Sequence, residues 1–191
     1  MEDLLAARER FAPPPRLHVV VKKEDIDVSR LAGRVVIVLD ILFATTTIVV
    51  YSTTNGTVAL RRSQRADAIY AAALLNVQAT LDHVEHHHRE KPLIIVCAGS
   101  AGALNLEDFY AAGCYVERLT RALDVTRDFS DTALSALAAF RSSGSYEALA
   151  ASRVGRIVRG VGAEKEVRHA AQIDTSRLVA MLRDGRVVRV E

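Results

Sequence analysis

The sequence predicts an α/β domain with a parallel or mixed sheet covered by helices. Three observations lead there. Apolar runs at Val35–Leu39 and Leu93–Cys97 do not alternate with polar residues, which marks strands buried on both faces. Helical patterns separate the apolar runs. The junctions Leu39-Asp40 and Cys97-Ala98-Gly99 are alike in design and would share one sheet edge if their strands are parallel.

Taken in order, Ala12-Pro13-Pro14-Pro15 predicts a stiff extended lead-in over residues 1–16. Leu17 to Val21 is expected as the first strand, and the polar stretch Asp25 to Leu31 as a short helix or loop. Val35 to Leu39 follows as a buried strand. Thr45 to Val50 starts a helix that is cut short at Ser52 to Thr57, where Asn55-Gly56 is a turn signal. Arg65 to Glu90 is mostly helical in pattern, with Asn76 in its middle. Pro92 introduces the strand Leu93–Cys97, which ends in the small-residue loop Ala98 to Gly102. Asn105-Leu106-Glu107-Asp108 opens a helix with acids in its first turn, as the macrodipole favours. Gly113 and Cys114 are expected to interrupt it. Ser130 to Phe140 and Ser145 to Arg153 are expected as helices, with a connection at Gly160 and Gly162. Val167 to Ile173 fits either helix or strand. Leu178 to Leu182 is short, and Gly185 separates it from a last strand, Arg186 to Val190.

The 191 residues suffice for a single domain, 1–191, with a sizeable core. A formal charge of +2 without a basic block argues against nucleic acid. No apolar stretch approaches the roughly 18 residues of a membrane span. The acidic start Met1-Glu2-Asp3 lacks a signal-peptide pattern. Cys97 and Cys114 belong to no CxxC pair and read as buried hydrophobes. The expectation is a cytoplasmic protein.

Asp40 stands just past a buried strand, where open α/β sheets place their ligands. It reads as a Mg²⁺ ligand or, in the alternative, a helix cap. Thr45, Thr46 and Thr47 then offer hydroxyl and N–H donors suited to a phosphate. Thr53, Thr54, Asn55, Gly56 and Thr57 could ring an anion, or form only a turn. Glu107 and Asp108 read as further metal ligands or as solvated first-turn acids. The loop Gly99-Ser100-Ala101-Gly102 permits close backbone approach to a ligand. His83 and His87 stand one helical turn apart, but the charges around them point to a solvated face. Arg153, Arg156 and Arg159 could face an anionic substrate, though a solvated face suits most of them.

Three groups occur in a fixed order: Asp40-Ile41-Leu42-Phe43-Ala44-Thr45-Thr46-Thr47; Thr53-Thr54-Asn55-Gly56-Thr57; and Cys97-Ala98-Gly99 with Glu107-Asp108 through Ala112-Gly113. In this order they resemble the 2-phosphosulfolactate phosphatase (ComB-like) family over roughly residues 17–191. The family pattern Asp-x-x-Arg-Ala-Thr-Thr-Thr matches the first group except at Phe43, where the family has arginine. Its helical Asn matches Asn76, and Asp174 before the last apolar segment also fits. The resemblance implies a three-layer α/β/α sandwich with a mixed, largely parallel sheet. It also implies Mg²⁺-dependent hydrolysis of a phosphate ester on a sulfonated lactate. On that reading Asp40, Glu107 and Asp108 are catalytic and hold the metal. The threonine groups, Asn55, Gly56, Asn76, Gly99 and Ser100 bind a small-molecule phosphate ester. No nucleic acid or membrane partner is expected, and a homo-oligomer is left open. The family also carries a long segment between the first two groups, whereas here Val50 runs straight into Tyr51, so the resemblance implies that a family segment is missing between residues 50 and 51. The alternative to an enzyme is a non-catalytic anion-binding or assembly protein on the same fold.

Overall fold

The computed structural model describes residues 16–42, 54–122 and 129–190. The described strands are β1 (Leu17–Val20), β2 (Val35–Leu39), β3 (Ala68–Ala72), β4 (Leu93–Cys97), β5 (Val179–Arg183) and β6 (Arg186–Val190). They form one sheet in the order β1-β4-β2-β3-β5-β6. The first four pair in parallel, and β5 and β6 are antiparallel additions at one edge. The described helices are α1 (Thr54–Arg62), α2 (Val77–His88), α3 (Leu106–Ala122), α4 (Asp131–Arg141), α5 (Ser145–Ala151), α6 (Arg153–Gly160) and α7 (Glu164–Ala170). The expected mixed, largely parallel sheet within an α/β sandwich is the fold observed.

Side chains alternate across a strand, so each central strand feeds two cores. Val35, Ile37, Leu39, Ile95 and Cys97 face the larger core, beneath Tyr110, Ala111 and Tyr115 of α3 and Ala133 and Leu137 of α4. Val36, Val38, Ile94 and Val96 face the smaller core with Ala59 of α1, Ile26 and Leu31. The helices after β2 and β4 therefore cover opposite faces of two neighbouring strands. Open α/β sheets form their binding crevice where neighbouring strands diverge in this way.

The predicted strands at Leu17, Val35, Leu93 and Arg186 are present. Three expectations are corrected. Arg65 to Glu90 is not one helical stretch, because Ala68–Ala72 is a strand between β2 and β5. Its alanines have no strong strand preference, and pairing on both sides decides its state. Asn55 and Gly56 do not form a free turn but lie in the first turn of α1. Gly113 and Cys114 do not interrupt a helix, since both lie inside α3. A Cβ on Gly113 would stand 2.0 Å from the carbonyl oxygen of Ala136, so this glycine lets α3 and α4 touch backbone to backbone. The lead-in 1–15, the helix expected at Thr45 to Val50 and the Val50–Tyr51 join lie outside the described residues.

The last two strands are joined by Asp184 and Gly185, with φ of 49° and 75°. Positive φ at both central residues gives the turn whose twist matches a tight hairpin. The Asp-Gly pair supplies that chemistry.

Gly113→Ala should lower stability by about 2–3 kcal/mol or more, because the added methyl meets main chain rather than a movable side chain. Denaturant unfolding against Gly160→Ala, whose Cβ would meet nothing, provides the comparison.

Candidate active site

Leu39 of β2 pairs with Cys97 of β4, so both strands end at one level of the same edge. The Ala98 N–H donates to the Leu39 carbonyl at 2.8 Å and extends that register by one residue. Asp40 leaves β2 at this edge. The first turn of α3 returns Glu107 and Asp108 to it. The three side chains are buried, with 6%, 1% and 0% of their residue surface exposed. Successive helical residues point about 100° apart, yet both acids of α3 are covered because the turn is wedged between the sheet edge and α6.

Asp108 bridges the two strand-end loops. Its Oδ1 accepts the Ile41 N–H at 3.0 Å, and its Oδ2 accepts the Gly99 N–H at 3.1 Å. Asp40 Oδ2 accepts the Gly56 N–H at 3.0 Å from the first turn of α1. It thus caps α1, a helix further along the chain than the cap expected beside Thr45. Glu107 differs from both. Among the described residues neither of its oxygens meets a donor in hydrogen-bond geometry.

The electrostatics follow from burial. Desolvation chiefly, then the charges of Asp40 and Glu107, push the Asp108 carboxyl well above the usual range against the pull of its two N–H donors. Desolvation chiefly raises Glu107 as well. Its own backbone, the nearby Ser152 hydroxyl and Arg153 oppose the rise, and Asp40 adds to it. Burial, then Asp108 and Glu107, raise the Cys97 thiol, which disfavours the thiolate.

The loop after β4 is held from several sides. Ser100 and Ala103 exchange backbone hydrogen bonds around Ala101 and Gly102, which have φ of 51° and 71°. Gly99 has φ of 63°, and a Cβ there would stand 2.6 Å from the Ala103 oxygen. Lys22 Nζ donates to the Gly102 carbonyl at 3.2 Å. The Gly99 N–H goes to Asp108, and the Ser100 hydroxyl donates to Asn105 Oδ1 at 2.8 Å. Both residues expected at the substrate here thus have an internal hydrogen bond.

Asn76 stands one strand away at the same edge. Its Oδ1 accepts the Ala73 N–H and its Nδ2 donates to the Leu178 carbonyl, so both ends of the amide tie the β3–α2 turn to the approach of β5. Asp174, with φ of 57°, accepts from the Gln78 N–H and from Arg118, which anchors the start of α2. Thr45, Thr46, Thr47 and Thr53 lie outside the described residues, as does the side chain of Thr54. Asn55 and Thr57 are half-buried beside Gly56.

Sequence reasoning did not single out Asn105 and Ser152, and it left Arg153 among scattered cations. The helix expected over Ser145 to Arg153 breaks at Ser152, which ends α5 and caps α6 by accepting the Gly155 N–H at 2.9 Å. Arg153 thereby moves from a helix end to a helix start. Its Nη2 donates to Ser100 Oγ, and to Asn105 Oδ1 at 3.5 Å. Arg156 instead bonds the Ala151 carbonyl, and Arg159 pairs with Glu164. The break was legible as a serine three residues before a glycine.

The donor set suits a hard cation at Glu107, whose buried carboxylate meets no donor in hydrogen-bond geometry among the described residues and lies in the field of Asp40. Among the described residues no three His, Cys, Asp or Glu side chains form a metal-holding group. Asp108 contributes to this, since both of its oxygens face main-chain N–H groups. Magnesium is usually held by one or two carboxylates with water and substrate phosphate, so two acids meet its needs. His83 and His87 stack with ring centroids 4.2 Å apart, and His83 Nδ1 meets the Tyr70 hydroxyl at 2.8 Å.

A family model described as 2-phosphosulpholactate phosphatase matches residues 48–185. The chain belongs to this family. A Deinococcus radiodurans protein called a probable 2-phosphosulfolactate phosphatase is 40% identical over 139 residues, covering 72% of this chain and 57% of that protein. A Clostridium perfringens protein of the same name is 30% identical over 144 residues, covering 75% and 57%. A Thermus thermophilus protein of that name is 33% identical over 189 residues, covering 97% and 73%. The chain spans little more than half the length of the first two family members. The family match starts beyond Asp40, whereas the Thermus similarity takes in nearly the whole chain.

A carboxyl whose folded pKa lies above its unfolded value adds stability that is complete below the unfolded value, 4.5 for Glu107, and is lost as pH rises through the folded one. In chelator, Glu107→Gln should therefore flatten the fall in melting temperature between pH 5 and pH 8. Calorimetry across that range measures it, and parallel curves for variant and parent would contradict the assignment.

Proposed function

We propose that the protein is a Mg²⁺-dependent phosphoric monoester hydrolase acting on a small anionic phosphate ester such as 2-phosphosulfolactate, releasing sulfolactate and phosphate. Family membership supports the reaction class. The observation that carries the reading is Glu107, a buried carboxylate that meets no donor in hydrogen-bond geometry among the described residues, in the field of Asp40 at the edge where β2 and β4 end. On this reading Asp40 and Glu107 hold the metal. Asp108 positions them by fixing the loops at Ile41 and Gly99. This narrows the ligand set expected from sequence, in which Asp108 was also a ligand.

The chemistry asks for charge neutralisation and positioning more than for covalent steps. When bound, Mg²⁺ supplies positive charge against the phosphoryl oxygens. The first turn of α1, which includes Asn55, Gly56 and Thr57, presents the positive end of a helix beside Asp40 and suits the same oxygens. Thr45, Thr46, Thr47, Thr53 and Thr54 are proposed as further phosphate donors. A cytoplasmic location and action on a free small molecule go with this reading. Among the described residues no helix is long and apolar enough to cross a membrane.

A second reading, a non-catalytic anion-binding protein, is favoured by Phe43 in the first motif. Phosphate release from 2-phosphosulfolactate with and without Mg²⁺ separates the two. The expected result is metal-dependent release, with Asp40→Asn and Glu107→Gln each lowering kcat/KM by about 100-fold or more. Mg²⁺ should also raise the melting temperature of the parent protein and not that of Glu107→Gln. Ligand binding without turnover of any sulfonated or carboxylated phosphoester would establish the binding reading instead.

A further inference from the structure

Arg153 is placed where helix stability does not ask for it. It opens α6, and a cation in a first turn opposes the macrodipole. Among the described residues no carboxylate lies within ion-pair distance of it. Its side chain reaches instead across the edge of the sheet to the loop after β4, where Nη2 donates to the Ser100 hydroxyl and to Asn105 Oδ1. A guanidinium only donates, so the Ser100 oxygen accepts from it and passes its own proton to Asn105 Oδ1. That direction fixes the orientation of the Asn105 amide. Both contacts use one terminal nitrogen of the guanidinium. The other N–H groups of Arg153 and the Nδ2 group of Asn105 have no partner among the described residues. The result, among the described residues, is a set of donors on the exposed Arg153 and on Asn105 that meet no protein acceptor, in the electrostatic field of Glu107. Donors held in this way match the oxygens of an acid group.

We infer that Arg153, oriented by Ser100 and Asn105, binds the second acid group of the substrate, a carboxylate or sulfonate, while the phosphate occupies the carboxylate end of the site. This rests on the phosphatase reading for what lies at that other end. It makes Arg153 a specificity residue that separates doubly acidic phosphate esters from simple ones. The buried acids in the first turn of α3 would otherwise repel such a substrate, and the charge of Arg153 acts against that of Glu107.

The test uses binding as well as turnover. Sulfolactate, which carries acid groups but no phosphate, is titrated calorimetrically into the Mg²⁺-loaded parent protein, Arg153→Gln and Arg153→Lys. Inorganic phosphate is titrated in parallel. The expected result is a 10- to 100-fold loss of sulfolactate affinity in Arg153→Gln, with partial recovery in Arg153→Lys and phosphate affinity kept within about twofold. If turnover is present, KM for the doubly acidic ester rises by a similar factor, while kcat/KM for a phosphate ester without a second acid group is unchanged. Equal loss of phosphate and sulfolactate affinity would overturn the inference, as would sulfolactate binding that ignores residue 153 or is absent in the parent. Arg153-dependent sulfolactate binding without any phosphate release would keep the inference and refute the hydrolase reading.

Discussion

The Asp108 carboxylate, wholly buried, accepts one main-chain N–H from the loop after β2 and one from the loop after β4. This pair of bonds holds the edge of the sheet together. Without it Ile41 and Gly99 would each present a buried donor with no acceptor, at roughly 1–3 kcal/mol apiece. The arrangement also brings an ionisable group into a place that opposes its charge. Burial and two neighbouring carboxyls raise Asp108 against the pull of its donors. The site is therefore held in shape by a group that its own surroundings disfavour. Such conflict is common where a fold prepares for a cation or another charge.

Around that bridge the other parts have separable roles. Asp40 joins β2 to the start of α1, so the acid and the positive helix end arrive together. Among the described residues Glu107 meets no donor in hydrogen-bond geometry, which singles it out from Asp40 and Asp108. The loop from Gly99 to Gly102 is rigid for steric reasons, with Gly99 packed against the Ala103 carbonyl and Lys22 bonded to Gly102. The break at Ser152 then turns α6 so that Arg153 overhangs the loop. Gly155 permits the break, since a Cβ there would stand 1.8 Å from the Leu149 carbonyl oxygen. Four loops from distant parts of the chain thereby meet at one edge, on strands whose register fixes the level of each.

The comparison between expectation and structure is instructive in particular residues. Leu39 and Cys97 were legible because a doubly buried parallel strand leaves an unbroken apolar run. Ala68–Ala72 was not, because alanine serves helix and strand alike and only its two neighbours decide. Asn76 sits in a recognised motif, yet its amide is engaged by the main chain at both ends. Motif membership does not distinguish a residue that touches a ligand from one that holds the frame. Glu107 and Asp108 looked most like solvated first-turn acids from their spacing, and packing against α6 and the strand-end loops buried both.

Composition and pattern by themselves determined an α/β fold, the positions of β2 and β4 and the order of the acid and hydroxyl motifs along the chain. These follow from local rules of burial and turn chemistry that act over a few residues. Tertiary structure alone decided which of the acids lacks a donor, which braces the loops, and which arginine reaches the site. Those are properties of distance between segments 53 to 67 residues apart in sequence, and no local pattern records them.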